Sequence, residues 1–238
     1  MKFKSSVYTQ VSGSVGGLTY SHNAGGMYAR ARAVPTDPAS EYQVRMRNAV
    51  AVLAARWRDV LTAGQRDAWN DYAANTPILD TLGDPRLVSG IAMYIRGNTP
   101  RIQFSEILSL GTLDIVDDGP TEFGIPSFTP VTVEVTETPQ NIELSFTAAD
   151  PWVNLNGNRL YLWASRPLSP AINFFKGPYR PVSAVIGLNA GPPTSPVNFS
   201  PPFPVAEGQQ VGIAVRLDRE DARLSYEQKL LVTVAATP

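Results

Sequence analysis

Residues 12–38, SGSVGGLTYSHNAGGMYARARAVPTDP, have the glycine density of a loop that cradles phosphate. A phosphate loop needs G-x-x-x-x-G-K-[ST] between a strand and a helix, so that backbone amides wrap the anion and the lysine reaches it. Here Gly13, Gly16 and Gly17 run into LTYS, which alternates like a strand, and no lysine follows. A dinucleotide fingerprint fails on the same ground, because its glycines must open a helix. The glycines are therefore expected to make tight turns in an extended arm. His22 is the only histidine and cysteine is absent. That removes histidine-rich and thiolate metal sites, a cysteine nucleophile and a disulfide framework. No G-x-S-x-G nucleophile elbow occurs.

Carboxylates are the next candidates. Asp114, Asp117 and Asp118 stand without EF-hand spacing, and Asp218, Glu220 and Asp221 cluster in LDREDARLS between two strand patterns. The second group is expected at a solvated hairpin tip, with a weak surface cation site as the alternative. Spacing alone leaves a glycosidase pair open, but a small sandwich domain rarely holds the deep cleft it needs. No catalytic residue, metal ligand or cofactor is assigned.

What remains is recognition. Tyr8, Tyr20, Tyr28, Arg30 and Arg32 lie in a basic, aromatic segment and are the candidate partner-binding residues. Such groups could touch nucleic acid, or fill acidic and aromatic pockets on a partner subunit. A formal net charge of −1 and the lack of a recognised nucleic-acid fold favour the subunit. Trp152, Phe174, Phe175 and Tyr179 form an alternative platform for sugars. Asn198 in NFS fits a glycosylation sequon, without a secretory signal to support its use.

These groups must be held by elements that the sequence also outlines. Residues 1–37 read as an extended β-hairpin arm: VYTQV and LTYS alternate, and MYARARAV puts Tyr28, Arg30 and Arg32 opposite Met27, Ala29, Ala31 and Ala33. An arm with so little core needs a neighbour to pack on. Residues 38–104 read as a small three-helix docking domain. Ser40 with Gln43 opens the first helix, whose stripe is Met46, Val50, Leu53, Trp57 and Val60. Thr62 with Gln65 opens a second, carrying Trp69, Tyr72 and Ala73, and Trp57 and Trp69 are expected at the centre of this hairpin. Asp84 and Pro85 are expected to start a third, with Leu87, Ile91, Tyr94 and Ile95 inward and Pro100 as its stop. Residues 105–127 read as a linker. Short alternating runs between proline and glycine clusters over 128–238 indicate a β-sandwich of about seven strands, with Trp163 in its core. The fold class is α+β.

The chain of 238 residues, 43% of them hydrophobic and 17% charged, is long enough for one large or two small globular domains. Its 21 prolines and 18 glycines favour strands and turns over a helical bundle. Charge is uneven. Residues 1–60 are mostly basic, whereas residues 101–150 hold Arg101 alone against nine carboxylates. A basic front and an acidic middle could bring subunits together head to tail; solvated faces that differ by chance are the other reading. MKFKSSVYTQ has no apolar core of a signal peptide and no run of about 20 apolar residues spans a bilayer. The protein is therefore expected to remain in a cytosol, or to leave it by lysis or inside a particle.

Three stretches carry a resemblance: GSVGGLTYSHNAGGMYARARAVPTDP, the run RW-x-x-LT-x-x-QRDAWNDYA, and SGIAMYIRGNTPR. Over residues 12–101 the chain resembles uncharacterised proteins encoded in tailed-phage and prophage structural gene clusters. Residues 128–238 look like the immunoglobulin or fibronectin type III-like modules that tailed phages display. The resemblance implies a non-enzymatic virion structural protein, assembled in the host cytoplasm and anchored by its arm and helices, as a capsid decoration or a tail component. Its partners would be other virion proteins and copies of itself, with no nucleic acid and no membrane. The alternative is a carbohydrate- or cell-surface-binding module of a phage fibre or tail, its partner a host surface glycan. Fold likeness alone is an analogy about function.

Overall fold

Alternation in the N-terminal segment makes three short strands, β1 (Gly13–Val15), β2 (Leu18–Asn23) and β3 (Gly26–Ala31), paired antiparallel in that order. Val15 pairs with Leu18, and Gly16 and Gly17 between them have φ of +56° and +82°. A two-residue turn with both residues left-handed matches the twist of its strands, and glycine adopts it without strain. The glycine spacing that suggested a phosphate loop is thus hairpin chemistry. The computed structural model describes residues 11–23, 26–34, 36–80, 83–108 and 113–236. The second turn of the arm, at 24–25, and Tyr8 lie outside them.

Three helices follow: α1 (Glu41–Asp59), α2 (Ala63–Asn75) and α3 (Gly90–Ile107). Thr62 and Gln65 form the expected reciprocal cap of α2, and Trp69, Tyr72 and Ala73 are buried as its apolar face predicts. The buried face of α1 is turned from the expected stripe. Ala49 and Leu53 are buried and Met46 and Trp57 half-buried, but Val50 and Val60 are exposed. Valines and alanines surround this helix, so composition does not single out one face.

The third helix starts later and runs further than its sequence signals suggest. Asp84 and Pro85 close a tight ladder instead, in which β4 (Ile78–Leu79) pairs with β5 (Pro85–Arg86) and the Asp84 amide donates to Asp80 Oδ1 at 3.0 Å. Leu87 is exposed, Tyr94 is fully buried, and Ile91 and Ile95 are half-buried. Pro100 lies inside α3 rather than ending it. An interior proline costs about 3 kcal/mol. Burial offsets that on both sides, with Met93 and Tyr94 in the helical core and Phe104 against the sheet.

Seven strands complete the chain: β6 (Thr132–Thr136), β7 (Asn141–Ser145), β8 (Arg159–Ala164), β9 (Arg180–Ile186), β10 (Val197–Phe199), β11 (Gln210–Asp218) and β12 (Gln228–Ala235). They form one sheet in the order β10-β7-β6-β12-β11-β8-β9, antiparallel except where β12 meets β6. The sheet curls until its edge strands β9 and β10 approach, which nearly closes a barrel. The fold is therefore α+β. Strand β10 has three residues, too few to show a period in the sequence.

All six residues of β8 are buried, for two different reasons. Leu160, Leu162 and Ala164 enter the interior with Val133, Ile142, Leu144 and Ile213, where Trp152 is the large aromatic. Tyr161 and Trp163 point the other way. They meet Phe104 of α3 at ring-centroid distances of 4.5 and 5.1 Å. Trp163 is thus buried under the helix and not inside the sheet. Helices, sheet and residues 113–127 form one compact unit, 42–238, and residues 1–41 form another. The segment expected as a linker is, over 113–127, a strap bonded along the helices.

Candidate functional site

Strand register sorts the partner-binding candidates in the arm. Leu18 pairs with Ala31, Tyr20 with Ala29 and His22 with Met27, so these six share one face with Val15. Thr19, Ser21, Tyr28 and Arg30 occupy the other, together with Ser14, whose hydroxyl lies 2.9 Å from that of Thr19. Tyr28 and Arg30 are therefore brought together, and continued alternation puts Arg32 with them; Tyr20 lies on the opposite, apolar face. Nothing is described for Tyr8. His22 is exposed in β2. Among the described arm residues only Ala29 is buried, while Val15 is 74% and Leu18 41% exposed. The arm is an amphipathic sheet; among its described residues Val15, Leu18, His22 and Ala31 of the apolar face are exposed, Tyr20 and Met27 are half-buried and Ala29 is buried. A small sheet of this kind draws stability from what packs on it.

Polar chemistry in the body concentrates in two clusters. The first fastens the strap. Arg56 donates to both oxygens of Asp117 at 2.7 and 2.6 Å, Tyr94 Oη donates to Oδ1 at 3.0 Å, and Trp69 Nε1 donates to the Asp117 carbonyl at 2.9 Å. Burial pushes the Asp117 carboxyl up, but the bonds from Arg56 and Tyr94 outweigh it and hold the group below its ordinary range. Burial and that same carboxylate push the Tyr94 hydroxyl well up. Asn98 bonds both ways with Val116, at 3.0 and 2.7 Å. Trp57 and Trp69 flank Tyr94 at 5.6 and 5.5 Å, the aromatic centre expected of them.

The second cluster overturns the expectation of a solvated tip in LDREDARLS. Asp218 is fully buried, with Arg101 Nε 2.8 Å away and the Tyr161 hydroxyl donating at 3.1 Å. Arg101 also pairs with Asp114 at 3.1 Å, and Arg159 pairs with the same Asp114 oxygen. The turn beyond is gripped by helix α3. Arg101 Nη2 donates to the carbonyls of Arg219 and Glu220, and Arg96 to those of Leu224 and Ser225. Ala222 enters the helical core in a left-handed conformation, φ +61°. A side chain at Gly97 would collide with its carbonyl. Burial pushes the Asp218 carboxyl up to about 7, against the pull of Arg101, Tyr161 and Arg159. Nothing in sequence spacing marks Arg96, Arg101 and Arg159, which come from two elements far apart in the chain.

What this can do chemically follows from access. A cleft of about 900 Å³ opens beside the cluster, lined by Asp118, Glu122, Glu220, Asp221, Arg219 and Arg223 among others, but not by Asp218, Arg101 or Tyr161. Glu122 and Asp221 are tied to Arg223 at 2.5 and 2.7 Å, and Asp118 accepts from Gln65. The buried carboxylate therefore joins helix to sheet and meets no substrate from the cleft. Among the described residues, no group of three or more histidine or carboxylate side chains is placed to hold a metal ion. The sugar platform loses a member, because Trp152 is buried in the sheet interior. Phe174 is 80% exposed, and Phe175 and Tyr179 pack edge to face at 5.3 Å over Gly212. No described helix is long and apolar enough to cross a membrane. No protein-family model matches the chain, and no curated protein matches it in sequence.

Proposed function

We propose that this protein is a non-enzymatic structural component of a phage virion, docked on the particle through residues 1–41 and presenting the 42–238 body as a capsid decoration or a tail-associated module. The observation that carries this reading is the arm. It is a three-stranded amphipathic sheet with Val15 and Leu18 open to solvent and one buried side chain among its described residues. An element of this kind gains order from the surface it pairs with, so folding and binding are coupled. The body supports the same reading. Its deepest polar groups are consumed in holding the strap and α3 to the sheet. The order β10-β7-β6-β12-β11-β8-β9, with its one parallel pair between β6 and β12, supports reading the sheet as an immunoglobulin-like module.

The test is incorporation. Full-length chain and a chain lacking residues 1–33 are expressed during assembly of the particles and quantified on purified virions. The truncated chain keeps the melting temperature of its body and is lost from the particles. Normal incorporation of the truncated chain excludes the arm as anchor. Copy number on the same gel separates decoration, with many copies, from tail attachment, with few.

A further inference from the structure

The arm carries no carboxylate at all from residue 1 to residue 36, and its Arg30 and Arg32 are exposed. A complementary surface exists on the body of the same protein. Of the acidic residues between 101 and 150, Asp114, Asp117 and Asp150 are bonded internally, Asp118 accepts from Gln65, and Glu122 pairs with Arg223. Glu134 and Glu143 are different. They stand directly opposite each other across β6 and β7, on the outer face, with no ion pair among the described residues.

Like charges opposed across a strand pair are destabilising. The flanking positions on that face are small and polar: Thr132 opposite Ser145, Thr136 opposite Asn141, and Asn198 beside Glu143. The alternate residues Val133, Val135, Ile142 and Leu144 are buried in the interior, so this face is free of bulky side chains. Opposed side chains have Cβ atoms about 5 Å apart. A guanidinium, with five donors in a planar fork, can bridge two carboxylates so placed.

We propose that the outer face of β6 and β7 receives the basic face of the arm, Tyr28, Arg30 and Arg32, from a second copy of this chain. This rests on the reading of the arm as a docking element and names its partner. Charge complementarity carries the assignment: every copy bears a stretch of 36 residues without acids and a carboxylate pair with no cation bound to it among the described residues. Because the two surfaces differ, the contact is heterologous, and successive copies join head to tail into a ring or a filament. Guanidinium–carboxylate contacts of this kind steer association and set its register, and they weaken as salt rises.

The experiment is sedimentation velocity on the full chain at low and high ionic strength, with wild type, Glu134→Lys/Glu143→Lys, Arg30→Glu/Arg32→Glu, and the chain carrying all four changes. Wild type self-associates at low salt and dissociates at high salt. Each double variant weakens association roughly tenfold or more, and the four changes together restore it. A monomeric wild type, association indifferent to Glu134→Lys/Glu143→Lys, or loss without restoration each overturns the proposal. Glu134→Gln/Glu143→Gln removes the repulsion within one copy, so its melting temperature is expected at or above wild type, which separates a folding defect from lost contact. If deletion of residues 1–33 abolishes incorporation while Glu134→Lys/Glu143→Lys incorporates normally, the arm docks on another virion protein. That result overturns this inference and leaves the proposed function standing.

Discussion

In β8 of the body all six residues are buried, whereas in the three strands of the arm one described residue is. Both regions alternate in the same way, and both have an apolar face. The difference lies in what covers it. In the body, α3 lies on one side of β8 and the sheet interior on the other, so even the outward Tyr161 and Trp163 are enclosed. In the arm, the apolar face leaves Val15 and Leu18 exposed, and of its described residues Ala29 alone is buried. A period of two therefore tells where side chains point, and a second layer decides whether that direction contributes stability.

The sharpest way to break this contrast is to strip the body of one inter-layer contact. Arg101→Ala leaves Asp218 buried without its cation and is expected to cost about 3–5 kcal/mol; chemical denaturation measures it. Phe104→Ala removes the ring that α3 lays on Tyr161 and Trp163, with a similar expected loss of about 3–5 kcal/mol. If either change left stability untouched, the claim that α3 is bound into the sheet would fail. Asp117→Ala releases Arg56 and Tyr94 from the strap and is expected to cost about 1–3 kcal/mol, with the backbone of 113–127 losing protection in hydrogen exchange.

Acidity sharpens the comparison further, because the body buries a titrating group. The Asp218 carboxyl has an ordinary value of 3.8 and is raised to about 7 in the folded protein. Folding thus favours its protonated form. The associated stability is complete below about 4, declines as pH rises towards 7 while the unfolded chain alone ionises, and is gone above that. Melting temperatures of wild type and Asp218→Asn across this window should diverge, with wild type losing ground as pH increases. A parallel pair of profiles would remove Asp218 as the titrating group. The smallest effect is reserved for the arm. Val15→Ser with Leu18→Ser is expected to change the stability of the body by less than about 0.5 kcal/mol.

How legible all this was in the sequence depended on how local each cause was. The Thr62–Gln65 cap and the Trp69–Tyr72–Ala73 face are set by neighbours three and four residues away, and they read directly. The faces of β3 followed from alternation alone. Asp84 and Pro85 carried a local helix signal, but the pairing of Ile78 and Leu79 with Arg86 and Pro85 used them to open a strand. Pro100 signalled a stop that burial on both sides overrode. Asp218 looked like part of a charged loop because its partners Arg101, Asp114 and Arg159 come from distant segments, and no spacing rule links them. The opposed Glu134 and Glu143 needed the register of β6 against β7 before they could be recognised as a pair.

One consequence of α3 concerns the order of events on the ribosome. Phe104 is made long before Tyr161, Trp163, Ala184, Ala214 and Leu224, the buried residues it clusters with. Until those strands leave the exit tunnel, the second half of α3 has nothing to lie on. Its apolar ring and the guanidinium of Arg101 then lack the partners they have in the folded protein. β11 delivers Ala214 and Asp218 together, and the turn after it supplies Leu224 and the carbonyls of Arg219 and Glu220, so the seat of α3 is complete only once residue 224 is in place.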